Sequence, residues 1–506
     1  MKAQGNNSLT LWALASVATF STLLLISMAL WSTRTEETGE TAEGGGGSLA
    51  VSASPDVTPP RKTAQAACGM DVVKQPAGRA QMPPSEWCCV KIDAIAHSCW
   101  LQNVCIDEGK TQVRMSAGAQ LPPFNVSLRA EPIKEGHAPK LIEFRNFEAE
   151  AEEKEKERPP HLGGTWGWVE TYHHHNFGHI MGDDVFSMFR LLRLFDAEPL
   201  VFPDFHMLLP PHWKNNSQWH VLTTPDKVVT FDQARETARG PVFCVDNLFV
   251  GISRLGFAFG SEAFHDLLDF KAIRRFVNHK GSQTSLPTAG ASDHCSPKNA
   301  HFCEEMAAFR KRAMTTLEVA EKPIPHRLSI LLVEKGKGKV EHDHRIGNQA
   351  ELGAMLRAAY PVAEVEEVAW RSVSLQRQVE LVARTDIMIV QAGSDAMTAA
   401  WLHPAAELII IGRPDLAACA ALCGNELGNW WSKNRGDNGS VQCITGGAGK
   451  EWRDGDQVEC QRDENQIIIS SMLTVPPDIL LEHVKKAVFN LQVRGRTEFI
   501  VDDNKG

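Results

Sequence analysis

Apolar residues fall at two spacings along this chain, and the change from one spacing to the other predicts its elements. Leu328-Ser329-Ile330-Leu331-Leu332-Val333 is a short apolar run between Pro325 and the basic, glycine-spaced Glu334-Lys335-Gly336-Lys337-Gly338-Lys339, which predicts a buried strand ending in a turn. Asn348 to Ala359 places Leu352, Met355, Leu356 and Ala359 on one helical face, and a strand-like stretch, Val362 to Val368, follows. Ser374 stands where an N-cap belongs, ahead of a helix with Leu375, Val379, Leu381 and Val382. Asp386-Ile387-Met388-Ile389-Val390 suits a strand buried on both faces, Gly393-Ser394-Asp395 turns the chain into another short helix, and Glu407 to Ile411 gives a further strand. Strand and helix alternate throughout, which predicts a parallel sheet covered by helices, with any ligand at the carboxyl ends of the strands.

The earlier part of the chain is less regular. Val185 to Leu194 predicts a helix, Leu200 to Phe202 a short strand between Pro199 and Pro203, and Pro241 to Val250 another strand. Glu148 to Arg158 is a run of Glu and Lys that reads as a solvated helix or linker, and Lys280 to Pro297 reads as the connection between two halves. Pro477 to Val493, with Ile479, Leu480, Val484, Val488 and Leu491, fits an amphipathic helix closing on the body.

Three of these segments resemble the signatures of glycosyltransferase family 61. Ser374 to Gly412 is similar to that family's polar helix, Asp-led hydrophobic strand, His-Gly-Ala-Gly-Leu-Thr-Asn turn and Pro-containing loop. Arg345-Ile346-Gly347-Asn348 is similar to its Arg-x-x-Asn, and Asn176-Phe177-Gly178-His179-Ile180-Met181-Gly182-Asp183 to its Asn-Phe-x-His-x-x-x-Asp. Together they cover most of residues 165 to 415 in the family's order. Aligned through Pro404, the family's turn His falls at Ala392 and its second Gly at Asp395, which leaves open a divergent donor pocket or a lost activity. The resemblance implies a GT-B-like α/β fold, two Rossmann-like domains facing a cleft, and an inverting transfer that needs no metal.

Length and composition set the frame. At 506 residues two or three domains are expected, and 43% hydrophobic with 23% charged residues is a globular composition. A net charge of -10 with no long basic block excludes a general nucleic-acid binder. Leu9 to Trp31 has no charged residue and at helical rise spans about 34 Å, enough for the hydrocarbon core. Lys2 before it and Glu36, Glu37, Glu40 and Glu43 beyond it favour a cytoplasmic N-terminus. A cleaved signal peptide ending near Ser27-Met28-Ala29 is the rival reading, and either one sends the remaining chain into the secretory lumen. The domain expectation is therefore a cytoplasmic tail at 1–8, a transmembrane signal-anchor at 9–31 and a flexible, Gly/Ser/Thr/Pro-rich stem at 32–66. An N-terminal Rossmann-like acceptor domain with a Cys-rich start follows at 67–290, then a C-terminal nucleotide-sugar domain at 291–506. Golgi or endoplasmic reticulum membrane is the expected site. Twelve cysteines in a lumenal chain predict a disulfide framework whose connectivity spacing does not reveal. Cys419-x-x-x-Cys423 is the weaker, zinc-like reading. Sequons stand at Asn125, Asn215 and Asn438.

Sugar transfer needs a base for the acceptor hydroxyl and a clamp for the leaving diphosphate. His179 and Asp183 are four apart, so on an α-helix they share a face, while Asp184 would point elsewhere. Either His179 or Asp183 is a candidate base, set against a core histidine and a helix-start carboxylate. Gly393, Ser394 and Asp395 lie before a helix, where backbone N–H groups meet phosphate; Asp395 would repel a phosphate and suits a ribose or sugar hydroxyl better. Arg345 is the first candidate for the clamp and Lys335 the second. His173-His174-His175 and His342-Asp343-His344 read as exposed polar turns rather than metal sites, and no cofactor is expected.

The leading expectation is an inverting glycosyltransferase taking a nucleoside diphosphate sugar to a glycan or glycoprotein hydroxyl. N-acetylglucosamine, xylose and arabinose are the donor sugars the resemblance implies. A catalytically inactive lumenal binding protein on the same fold is the alternative, and a sulfotransferase lacks the phosphate-cradling loop it would want.

Overall fold

The computed structural model describes residues 68–71, 83–91, 97–129, 140–147, 159–171, 177–195, 197, 204–211, 213, 217–252, 255, 274–286, 300–321, 327–334, 344–391, 394–411, 440–444, 458–462 and 468–495. The expected tail, anchor and stem, the Glu/Lys run and the Cys419–Cys423 pair lie outside them. Among the described residues, no helix is long and apolar enough to cross a membrane.

The first sheet has eleven strands. In chain order these are β1 (Glu86–Lys91), β2 (His97–Asp107), β3 (Gln112–Met115), β4 (Val126–Ser127), β5 (Leu141–Asn146), β6 (Thr165–Trp168), β7 (Phe205–Leu209), β8 (Val228–Thr230), β9 (Val242–Val250), β10 (Arg274–Asn278) and β11 (Gln283–Leu286). The sheet is mixed. Strands β6, β7, β8 and β9 are mutually parallel in the order β8-β7-β6-β9, so the chain reverses its direction of progress between β6 and β9. The antiparallel pairs β2 with β9, β1 with β2 and β10 with β1 extend it on the β9 side.

This corrects the expectation for the first half. Only its middle is Rossmann-like, and the cysteine-rich start supplies the antiparallel strands β1 and β2 of the same sheet. Part of the supposed connection at Lys280 to Pro297 is strand β11, paired with β10. The strand expected at Leu200 to Phe202 lies outside the described residues, and the sheet instead draws β7 from Phe205–Leu209.

Disulfides brace this start. Cys68 joins Cys88, Cys89 joins Cys99 across the β1–β2 pair, and Cys105 joins Cys244 across the β2–β9 pair. Bonds of this kind persist in oxidising compartments, so the folded part is a secretory-pathway domain.

The second half contains β12 (Ser329–Glu334), β13 (His344–Ile346), β14 (Glu364–Ala369), β15 (Ile387–Gln391), β16 (Glu407–Ile411), β17 (Ser440–Ile444), β18 (Val458–Arg462) and β19 (Ile468–Leu473). Five of them form a parallel sheet in the order β14-β12-β15-β16-β17, a doubly wound arrangement whose reversal lies between β12 and β15. Every residue of β15 and β16 is buried, as strands covered on both faces require. A three-stranded sheet, β13-β19-β18, adjoins it.

Six helices matter for the site: α1 (Phe186–Leu194), α2 (Phe231–Ala238), α3 (Ala300–Thr316), α4 (Gln349–Ala359), α5 (Leu375–Ala383) and α6 (Pro477–Val493). Their starts are written in the sequence. The Thr230 hydroxyl accepts from the Gln233 N–H while Gln233 answers to the Thr230 N–H, a capping box on α2; the Ser374 hydroxyl caps α5 through the Arg377 N–H. Gly167 in β6 lets α1 lie close on the sheet, since a Cβ there would come within 2.6 Å of the Phe205 ring and 3.0 Å of the Met188 thioether.

The two sheets share one hydrophobic core. It runs from Phe186, Phe189 and Trp219 through Phe309 on α3 to Leu375, Val379 and Trp401. Helix α3 is the hinge pin of that core: the Phe309 ring meets Phe186 edge-on at 5.2 Å, and two guanidiniums reach opposite ways. Arg312 donates to the Leu222 carbonyl at 2.8 and 3.2 Å in the first half, and Arg310 donates to the Trp401 carbonyl at 2.9 Å in the second.

Candidate active site

Beyond the carboxyl end of β6 the chain enters a helical stretch of three pieces: an α-turn Phe177–His179, a π turn Ile180–Val185, and α1. The π turn closes its hydrogen bonds five residues on rather than four, and single turns of this kind cluster at functional sites. Its looser winding changes the sequence reading of the two carboxylates. Asp183 and Asp184 are both buried, at 6% and 3% exposed, so Asp184 does not turn away to solvent when Asp183 turns inward. The Ser187 hydroxyl donates to the Asp183 carbonyl and holds the widened turn onto α1.

Arg190, one turn further on, is also buried. Its Nη1 donates to the Leu255 carbonyl at 2.7 Å, and its guanidinium lies 5.7 Å from the Phe186 ring centre. Leu255 follows β9, the partner of β6 at the point where the first sheet reverses, so Arg190 ties α1 to the chain leaving β9 and braces the first lip of the site. Gly251 begins the β9 lip with φ +92; a Cβ there would run into the His97 carbonyl, and the Gly251 carbonyl accepts from the Ser98 hydroxyl at 2.6 Å.

The second lip belongs to β15. Ser394–Trp401 leaves it as the short helix expected there, wound as a 3-10 helix. The Trp370 Nε1 donates to the Thr398 hydroxyl at 3.1 Å, and that hydroxyl donates to the Asp395 carbonyl at 2.6 Å. Trp370 directly follows β14, so the turn at Asp395 is pinned from the end of a strand two places across the sheet. The decisive packing is between the two lips: the Phe177–His179 turn lies against Ser394–Trp401. His179, Asp183, Ser394 and Asp395, read from separate motifs, thus stand on adjoining elements.

Arg345 lies on β13, paired in register with Met472 of β19 and beside β15. Three residues on, Asn348 does structural work. Its Nδ2 donates to the Val475 carbonyl at 2.8 Å, and its Oδ1 accepts the Val475 N–H at 2.9 Å, locking the exit from β19 onto the head of α4. Lys335, Gly393, Ala392, the histidine run at 173–175 and residues 342 and 343 lie outside the described residues. Among the described residues no group of three or more His, Cys, Asp or Glu is placed to hold a metal ion.

Sequence reasoning missed the π turn, Arg190, Trp370 and Thr398, and also Gln391. Gln391 ends β15 and is 7% exposed. The one available signal for it was a carboxamide at the end of an otherwise apolar run.

No curated protein matches the chain significantly. Residues 177–409 match the family model described as Glycosyltransferase 61. That span starts at the Phe177–His179 turn and ends within β16, so it encloses both lips. Over residues 177–409, a little under half of its length, the chain is thus similar to the glycosyltransferase 61 family, a family of sugar-transferring enzymes.

Proposed function

We propose that this chain is an inverting glycosyltransferase of the secretory pathway. It moves a sugar of the N-acetylglucosamine, xylose or arabinose class from a nucleoside diphosphate to a hydroxyl of a glycan or glycoprotein. The observation that supports this most is the packing of the Phe177–His179 turn on the Ser394–Trp401 turn, both at carboxyl ends of parallel strands. In this reading the two halves face one another across a GT-B-like cleft. The first, about residues 67–290, takes the acceptor; the second, about 291–506, takes the donor.

Asp183 or His179 removes the proton of the acceptor hydroxyl. That oxygen attacks the anomeric carbon from the face opposite the diphosphate, the carbon–oxygen bond to the diphosphate breaks, and its electron pair leaves with the diphosphate. Arg345 and Lys335 neutralise the leaving group in place of a metal, and the backbone of the Gly393–Ser394–Asp395 turn supplies N–H donors. The Asp395 carboxylate takes a ribose or sugar hydroxyl. Disulfides and the uncharged run at residues 9–31 support a type II anchor in the Golgi or endoplasmic reticulum, with the catalytic part lumenal.

A second reading, an inactive lumenal binding protein, is favoured by Ala392 and Asp395 where the family has His and Gly. The purified protein, incubated with a panel of nucleoside diphosphate sugars with and without chelator, separates the two. Selective binding and slow hydrolysis of one donor, both lost in Arg345→Ala, support the transferase; binding without hydrolysis or transfer supports the inactive protein. Failure of the folded protein to bind any donor sinks the transferase and favours an inactive glycan-binding protein.

A further inference from the structure

Gln391 is the last residue of β15 and lies at the reversal point of the second sheet. It is 7% exposed, and among the described residues neither its Oε1 nor its Nε2 has a hydrogen-bond partner. Gln349, the first residue of α4, is 8% exposed; its Nε2 donates to the Leu332 carbonyl at 3.3 Å, and its Oε1 has no partner.

The two amides share a face. Side chains alternate along a strand, and Ile387 and Ile389 of β15 belong to the core beneath α4 and α6 while Met388 and Val390 belong to the core beneath α3. Gln391 continues the Ile387–Ile389 series, so it stands on the α4 side. Gln349 heads α4 on that side, and its contact Leu332 is in register with Ile389, one strand across. Gln391 is therefore about 7 Å further along and about 5 Å across from the carbonyl that Gln349 touches. Both amides reach toward the carboxyl-end lip that the donor reading assigns to the nucleotide.

A buried amide left open on both atoms, as Gln391 is, and a second left open on its oxygen, as Gln349 is, are unfavourable by themselves, so their place at a mouth asks what satisfies them. Asn348, one residue away, shows the satisfied state, with both side-chain atoms spent on Val475. A phosphate offers only acceptors at neutral pH and would leave Oε1 facing negative charge. A flat edge carrying one donor beside one acceptor fits a carboxamide on both atoms, and a nucleobase has that edge.

Resting on the donor-binding reading above, we propose that Gln391, assisted by Gln349, reads the nucleobase edge of the nucleoside diphosphate donor and sets its base preference. The Oε1 of Gln349 adds one further acceptor for an exocyclic or ring N–H.

The test uses the purified full-length chain and the plain nucleotides UDP, CDP, GDP and ADP, with inorganic pyrophosphate as the base-free probe. The native protein should prefer one base by about 10-fold to 100-fold. Gln391→Met keeps the length of the side chain and removes both polar atoms. It should bring the four nucleotides to within about threefold of one another while pyrophosphate binding and thermal stability hold. Gln349→Met should weaken the preferred nucleotide in the same direction and by less. A Gln391→Met protein that is folded and keeps the native preference overturns the base-reading role and leaves the donor reading standing. Absence of any nucleotide binding by the native protein overturns the donor reading, and the base-reading role with it.

Discussion

The Arg310 guanidinium donates through Nε to the carbonyl of Trp401, 2.9 Å away and 91 residues on in sequence, at the end of the 3-10 helix that forms the second lip. Two residues along α3, Arg312 reaches the Leu222 carbonyl in the other half. One helix thus holds the C-terminal carbonyls of two short 3-10 segments, which lack partners of their own. Helix α3 ties the second lip to the first half of the molecule.

Arg310→Met should therefore weaken the fold by about 2–3 kcal/mol, since a hydrogen bond to a charged group is lost and the buried Trp401 carbonyl is left open. Arg310→Lys should recover little, because its ammonium cannot repeat the planar fork that also meets Glu321. Chemical denaturation of the three proteins checks this. Equal midpoints for all of them would show that α3 does not hold the lip.

The Cys105–Cys244 bond closes a loop of 139 residues, the longest of the three, between the central strands β2 and β9. Cross-linking so long a loop restricts the unfolded chain by about 4–5 kcal/mol. Cys105→Ser with Cys244→Ser should lower secretion from cells much more than Cys89→Ser with Cys99→Ser, whose loop spans only 10 residues. Pulse-labelled secretion assays measure the difference, and equal loss from both pairs would contradict the loop-length argument.

The second half was the more legible because its strands are buried on both faces and write themselves as apolar runs. Glu407 to Ile411 and Pro477 to Val493 coincide with β16 and α6, and Asp386 to Val390 is displaced by one residue from β15. The first half hid its topology. Strand β2 pairs with β9, about 140 residues away, a relation that no local period records. Strand β7 escaped notice because Phe205–Leu209 adjoins the proline-bounded run that looked more like a strand. At the candidate site, motif spacing singled out His179, Asp183, Ser394 and Asp395, and the fold places them on adjoining elements. The π turn was not, since the same residues at helical period fit an α-helix equally well, and Arg190 was not, since its partner is a backbone carbonyl.

Asn348 belongs to the Arg-x-x-Asn pattern and yet serves the fold. Asn348→Ala removes two hydrogen bonds to Val475, so it should cost about 2–3 kcal/mol. Asn348→Asp should be little better, because a carboxylate accepts the Val475 N–H and is repelled by the Val475 carbonyl. If donor affinity falls by orders of magnitude while the denaturation midpoint stays put, the residue is a donor ligand instead.

Asp183→Asn keeps the shape of the side chain and removes its basicity. If Asp183 is the base, transfer should fall by about 10²–10⁴-fold with donor binding changed by less than about threefold. Asp184→Asn is the comparison, since it sits in the same π turn and is equally buried. Single-turnover transfer with saturating donor reads the chemical step directly. A larger loss in Asp184→Asn would move the base one residue along; unchanged transfer in both would leave His179 as the candidate.

His206 on β7 lies stacked on Trp166, with ring centres 4.5 Å apart. Burial holds its imidazole below the ordinary value of 6.5, and the nearby Lys227 ammonium adds to the effect against the Asp204 carboxylate, which opposes it. Burial lowers His220 in the same direction. For a histidine depressed in the folded state, the unfolded chain binds more protons once the pH falls below 6.5. Its contribution to stability is present in full above that pH and declines as the pH drops toward the folded value. Stability should therefore fall on moving from pH 7.5 to 5.5. His206→Phe keeps the stack on Trp166 and removes the titrating group, so it should flatten part of that slope. The measurement is the denaturation midpoint of both proteins across the range. A slope in His206→Phe as steep as the native one would assign the pH dependence to groups other than His206.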